Sequence, residues 1–233
     1  MVVMAVSPSF AHAATDPVDI LLVDSRQMVR AGIERVLNDS GYLTVSAGVA
    51  NFDEAIRLAR SQAPQVILVN LPGMAVDVLD GTRKIQRQFA EIRLVVLIDE
   101  ADFIVQERLL QAGVAGIVSS TCSVEELYSA LDSVARRQRY ISDTLAQKLA
   151  ERRMPGGKGS PFDKLTHREL QILLLVASGK STGDIARDLC LTQKTVNSYR
   201  NRLLEKLQAR TEVELMHLAL RHGLVSIPSY TAI

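Results

Sequence analysis

The sequence predicts a doubly wound, five-stranded parallel α/β domain followed by a separate all-α domain of four helices. Three observations carry that prediction. The chain has 233 residues, enough for one large or two modest domains. Apolar runs of strand length alternate with helical periodicity, but only as far as Arg137. The charge also divides: residues 1–135 hold 10 Lys/Arg against 17 Asp/Glu, and residues 136–233 hold 17 against 9. The two halves therefore suit different partners, and the basic one suits a polyanion.

At 47% apolar and 23% charged, the composition is globular rather than disordered. Five Tyr, five Phe and no Trp leave little for a stacking platform, which argues against single-stranded nucleic acid as the ligand. No apolar run reaches the ~18–20 residues of a membrane span. Cys122 and Cys190 are too few for a disulfide framework and read as reduced thiols in a cytoplasmic protein. The first residues are apolar and include Ala11-His12-Ala13, which looks like a signal-peptidase site. No Lys or Arg precedes Arg26, however, and Pro8 breaks the stretch, so residues 1–17 read as a disordered extension.

The domain of residues 18–137 has strand candidates at 19–23, 43–47, 65–69, 93–98 and 116–118. All but the second are nearly continuous apolar runs, as strands buried on both faces should be. Between them lie helical patterns: Met28, Val29, Ile33, Val36 and Leu37; then Phe52, Ala55, Ile56 and Ala59; then patterns around Ile85 and Leu109. The last runs from Val124 through Leu127 and Leu131 to Val134, with Ser123 and Glu126 placed as a capping box. Five β–α units in this order give a parallel sheet covered by helices, with sites at the carboxyl ends of its strands. Residues 138–162 form a linker. Leu145 and Leu149 mark a short helix in it, and the glycine- and proline-rich stretch 154–161 reads as a hinge.

Residues 163–228 are wholly helical. Thr166 with Glu169 makes a capping box for the first helix, which Ser178-Gly179 stops. A second helix starts at Ser181 or Thr182, and a third follows Thr192. Cys190 and Leu191 separate the second from the third, the spacing of a helix-turn-helix. A fourth helix starts at Thr211. The third carries an inward stripe of Val196, Tyr199, Leu203 and Leu207. Residues 192–202 hold three cations, several amides and no acid. Amides and Arg pair with base edges, whereas Lys, Ser and Thr suit phosphates, so this face suits the major groove of duplex DNA. A solvated helix face is the alternative, but such faces usually carry Glu–Lys pairs. Gly179-Lys180-Ser181-Thr182 imitates the end of a nucleotide-binding loop. The glycine which that motif needs five residues earlier is Leu174, so the stretch is an inter-helix turn.

Leu165-Thr166-His167-Arg168-Glu169, Gly179-Lys180-Ser181, Asp184-Ile185-Ala186, Leu191-Thr192, Lys194-Thr195-Val196 and Lys206-Leu207 resemble the LuxR-type helix-turn-helix. With the α/β half, nearly the whole chain is similar to a NarL/FixJ-type response regulator, and its local wording is most similar to the GacA-like subgroup. The resemblance makes the third helix a recognition helix. It implies base contacts from Asn197, Ser198 and Asn201, and phosphate contacts from Thr192, Gln193, Lys194, Thr195, Arg200 and Arg202. It also makes the fourth helix a pairing element, with Val213, Met216 and Leu220 as candidate dimer contacts, positions that core packing explains equally well. The partners implied are double-stranded DNA, a second copy of the chain and RNA polymerase, with a histidine kinase left open and no membrane.

The same resemblance implies a phosphoryl-accepting site in the front domain: two acids after the first strand for Mg²⁺, an acceptor Asp after the third, and a hydroxyl and a Lys after the fourth and fifth. This chain has Asp24 and Ser25, then Asn70, Ile98 and Ser120 at those places. An amide is not a useful nucleophile, and one carboxylate makes a poor Mg²⁺ site. The receiver-like domain is therefore expected to be degenerate and independent of aspartyl phosphorylation, with no metal and no cofactor. Its less charged pocket carries no residue pattern that indicates a small-molecule ligand. An enzyme is not supported, because the four histidines have no metal-ligand spacing and no nucleophile–base pair stands out. The expectation is a dimeric, sequence-specific DNA-binding regulator. The competing one is an antagonist that pairs with a normal response regulator or binds a kinase.

Overall fold

Strand formation follows burial. The computed structural model describes residues 17–70, 75–98, 103–153, 160–222 and 224–225. Strands β1 (Val18–Val23), β2 (Leu43–Val49), β3 (Val66–Val69), β4 (Arg93–Ile98) and β5 (Gly116–Ser119) form a parallel sheet in the order β2-β1-β3-β4-β5, which a sixth strand extends. All four residues of β3 and all four of β5 are buried. Fully burying an aliphatic side chain stabilises by about 1.5–3 kcal/mol, so such runs hold the sheet centre. The edge strand β2 instead alternates between buried and exposed residues, which is why its run in the sequence is broken.

Helices α1 (Gln27–Asn38) and α5 (Val124–Ala135) cover one face of the sheet, where Leu37, Leu127, Leu131 and Val134 meet Ile20, Leu22 and Leu68. Helices α2 (Phe52–Gln62), α3 (Ala75–Gln88) and α4 (Phe103–Gln111) cover the other, through Ile56, Leu79 and Leu109. The α2–α3 contact depends on Gly81, because a Cβ there would sit 2.1 Å from the Phe52 ring. Ser123 caps α5 by accepting from the Glu126 N–H at 3.2 Å. The Glu126 carboxylate turns instead to the Tyr140 hydroxyl, which donates to it at 3.4 Å.

The sheet has six strands, not the five expected. Tyr140–Ile141 forms β6 and pairs parallel with β5, so the linker region begins inside the sheet. Two residues are too few to show a period, and β6 is held by its neighbour, with the Tyr140 N–H reaching the Ala115 carbonyl at 3.0 Å and the Ser142 N–H the Ile117 carbonyl at 3.3 Å. Helix α6 (Asp143–Arg153) follows. The expected disordered extension, save Pro17, and hinge residues 154–159 lie outside the described residues. Ser160 and Pro161 do not break structure as expected. Ser160 caps a short 3-10 turn, Pro161–Lys164, with Pro161 at its first position.

The rear half is helical: α7 (His167–Ala177), α8 (Thr182–Asp188), α9 (Gln193–Leu207) and α10 (Glu212–Arg221). Thr166 and Glu169 close the capping box, with Thr166 N–H donating to the Glu169 carboxylate at 2.8 Å. That carboxylate, nearly buried, also takes the Lys206 ammonium at 2.8 Å and so ties the start of α7 to the end of α9. Leu170, Leu173, Ile185, Val196, Leu203, Leu215 and Ala219 are buried between the four helices. Cys190, in the turn between α8 and α9, has a left-handed backbone (φ 51°).

Candidate functional site

Helix α9 is held by its inward residues and by its start. Val196 and Leu203 are fully buried, Leu207 nearly so, and Tyr199 half-buried. Thr192 Oγ1 accepts from the Thr195 N–H at 3.1 Å, and the two hydroxyls bond each other at 2.8 Å. Rotation about the helix then sends Lys194, Asn197, Ser198, Asn201 and Arg202 outward, all of them exposed. Among the described residues the side chains of Lys194, Asn197 and Asn201 make no hydrogen bond or ion pair, so their donors and acceptors are available to a ligand. The Ser198 hydroxyl donates back to the Lys194 carbonyl at 3.0 Å, and Arg202 lies over the Tyr199 ring at 5.7 Å from its centre. Gln193 is exposed at the start of the helix and Thr195 is half-buried.

Arg200 stands apart from this set. Its side chain is only 16% exposed, its Nη2 donates to Glu212 on α10 at 2.7 Å, and its Nη1 donates to the Thr182 hydroxyl. It joins three helices, and to hold a phosphate it would first have to leave Glu212. On α10, Leu215 and Ala219 supply the packing. Val213 and Met216 are 59% and 36% exposed, and Leu220 is half-buried on the same side. Their spacing of three and four residues makes one apolar stripe facing outward.

The second constellation sits at the carboxyl ends of β1 and β3. These strands pair Val23 with Val69, so Asp24 and Asn70 emerge side by side, and both are buried. Asn70 Nδ2 donates to Asp24 Oδ2 at 2.7 Å. Arg26, which the sequence reading missed, folds back onto the same carboxylate. Its Nε reaches Oδ1 at 3.1 Å, its Nη2 reaches Oδ2 at 2.9 Å, and its backbone N–H reaches Oδ1 at 2.8 Å. These bonds raise the Arg26 guanidinium above its ordinary value, against the opposing effect of burial. Arg30 Nη1 donates to the Asp24 carbonyl. Ser25 and Ser120 are exposed at the rim, while Ile98 packs into the apolar core beneath α3 and α4. Of the five positions expected to share a pocket, Asp24 and Asn70 bond through their side chains, the Ser120 N–H donates to the Ile98 carbonyl at 3.0 Å, and Asn70 and Ser120 line one cleft. Among the described residues no group of three or more His, Cys, Asp or Glu side chains could hold a metal ion, and no helix is long and apolar enough to cross a membrane. Both cysteines are free thiols.

Comparison with known proteins agrees with this division. Residues 20–132 match the response regulator receiver domain, and residues 163–219 match the bacterial regulatory proteins of the luxR family. The chain is 38% identical to the response regulator UvrY of Escherichia coli K12 over 208 residues, 89% of this chain and 95% of that one. It is 38% identical to the response regulator GacA of Pseudomonas aeruginosa over 213 residues, 91% of this chain and all of that one. Among solved structures it shares its fold with the Salmonella typhimurium response regulator RcsB, at a TM-score of 0.70 and 18% identity over 87% of this chain and 96% of that one. A structure of two RcsB dimers bound to two parallel DNAs matches at a TM-score of 0.55 and 18% identity, over 91% of this chain and all of that one. The receiver fold in front, the luxR-type helices behind and the full-length likeness to UvrY and GacA make one statement: this chain belongs to the LuxR-family, NarL/FixJ-type response regulators.

Proposed function

We propose that the chain is a sequence-specific DNA-binding transcription regulator that works as a dimer and does not depend on aspartyl phosphorylation. The observation that carries the first part is the outward face of α9, where Lys194, Asn197 and Asn201 stand exposed with no partner among the described residues. Asn pairs bidentately with adenine in the major groove, and Lys neutralises phosphate. In this reading Asn197, Ser198 and Asn201 meet bases. Thr192, Gln193, Lys194, Thr195 and Arg202 hold the backbone, and Arg200 chiefly positions α9 against α8 and α10. The outward stripe of Val213, Met216 and Leu220 pairs two copies, which suits the dimers seen on DNA for RcsB.

The second part rests on the strand-end pocket. A receiver of this family would hold Mg²⁺ there, and the residues present do not fit it. Asp24, the single carboxylate at these strand ends among the described residues, already accepts from the Arg26 fork, the Arg26 backbone and the Asn70 amide. The guanidinium supplies the positive charge a cation would bring, and Asn70 offers no carboxylate to be phosphorylated. The receiver-like half then serves as a fixed module.

The test is a gel shift with the purified, unphosphorylated full chain on upstream DNA, where specific binding should weaken steeply with salt. Asn197→Ala or Asn201→Ala should cost about 1–3 kcal/mol and relax base preference, while Lys194→Ala weakens all sites alike. Equal losses on specific and random DNA for all three variants would refute the assignment of roles. Beryllofluoride with Mg²⁺ should leave DNA affinity and oligomeric state unchanged, and tighter binding or a stable adduct would overturn the second part.

A further inference from the structure

Beside the Asp24–Arg26 pair, a cleft of about 540 Å³ opens between α1 and α5. It lies where the strand order reverses. β1 leads outward to β2, whereas β3 returns to the other side of β1, and ligands of open parallel sheets bind outside the strand ends at that crevice. The walls are apolar, from Ile33, Val36, Leu97 and Leu127. One end is polar, with Arg26, Asn70 and Ser120. This combination of volume, apolar walls and a few convergent polar groups is that of a small-molecule site.

Two residues keep the cleft open. Ser120 stands where the family resemblance calls for a lysine, whose four-carbon stem would run through this space. Gly32 lines the cleft from the middle of α1. Its backbone is ordinary helix, and a Cβ added there would meet nothing within 4 Å. Neither conformation nor crowding demands a glycine at this point, and a glycine inside a helix costs about 0.5–1 kcal/mol against alanine. What its missing side chain provides is room.

The polar end selects the ligand's charge. Arg26 stands there with its Nε and Nη2 on Asp24 and its Nη1 without a hydrogen bond among the described residues. The Arg26 side chain is still 46% exposed, and the Ser120 hydroxyl has no partner among the described residues. We propose that the cleft binds a small carboxylic acid with an apolar body, its carboxylate against Arg26 and Ser120 and its body between α1 and α5. The site stands apart from the DNA-binding half, and its test reads binding alone.

Cys122 lines the cleft and serves as its reporter, while the exposed Cys190 in the other half is the internal control. The full chain is alkylated with a maleimide in the presence of octanoate, and both thiols are followed by peptide mass. Octanoate at about ten times its Kd should slow Cys122 labelling by about tenfold, saturably, and leave Cys190 unchanged. Octanol and butyrate should protect far less. Gly32→Leu, which fills the cleft and favours the helix, should abolish protection, as should Ser120→Lys. Equilibrium dialysis of radiolabelled octanoate should give one saturable site per chain in the parent protein and none in the variants. Absence of such a site overturns the proposal. Equal binding of octanol, or binding retained by both variants, also overturns it. Cys122 protection that rises with protein concentration alone would assign the cleft to a second copy of the chain and likewise overturn it.

Discussion

Arg26 and Glu169 show how much one charged side chain decides in this molecule. Arg26 turns a lone buried carboxylate at the strand end into an ion pair. Glu169 does comparable work at the base of the DNA-binding half, where it caps α7 and holds Lys206 while nearly buried. Burial alone would raise its carboxyl, but the bonds from Lys206 and Thr166 outweigh that and hold it below the ordinary glutamate range. A depressed acid contributes stability that is complete above its unfolded-state pKa and is lost as pH falls through the lower folded-state value. Glu169→Gln should therefore cost about 1–3 kcal/mol at neutral pH by denaturant melting. The gap to the parent should shrink as pH falls below about 4; a gap independent of pH would show that the charge does not matter. At this scale Asp24 and Asn70 were legible because each closes a strand-length apolar run. Arg26 was not, since nothing in a spacing of two residues says that a cation will fold back onto the strand it follows.

Among elements, the four rear helices were the most legible, because each announces its start with Ser or Thr; α9 and α10 add a buried face at helical spacing, whereas α7 is buried all round from Glu169 to Ala177. What the pattern left open was which apolar residues of α10 pack and which face out. The fold separates them, with Leu215 and Ala219 inside and Val213 and Met216 outside. A charge on the outer stripe should then leave folding alone. Val213→Asp with Met216→Asp is expected to change melting by no more than about 0.5 kcal/mol per site. The double variant should bind a fragment with two half-sites, about 10 base pairs apart, at least tenfold more weakly, while binding one half-site like the parent. Unchanged binding to the paired site would remove α10 as the pairing element. β6 was illegible for the opposite reason: it has no pattern of its own and is made by its neighbour.

In the whole molecule, the two halves touch through α7 and the 3-10 turn before it. His167 at the start of α7 bonds Asp80 on α3 at 3.0 Å, and Arg108 on α4 donates to the carbonyls of Phe162 and Leu165 at 3.1 and 2.9 Å. Burial pushes the Asp80 carboxyl up, but the bond from His167, the neighbouring Gln171 amide and the charge of Arg168 bring it below its ordinary value. The tie is therefore present at neutral pH and weakens as acid protonates Asp80. Asp80→Asn combined with Arg108→Ala should loosen the halves, seen as a larger radius of gyration in solution scattering and faster proteolysis between residues 154 and 161. An unchanged scattering profile would mean that the apolar contacts alone hold the halves together. No sequence pattern announced this join, because it pairs residues 87 and 54–57 positions apart whose local spacing carries no period.

That join leaves the outward side of α9 bare while the halves are still together. A promoter could thus be engaged by the molecule as it comes off the ribosome, with no unlocking step. On the function proposed above, transcription would then follow how many copies the cell makes and keeps.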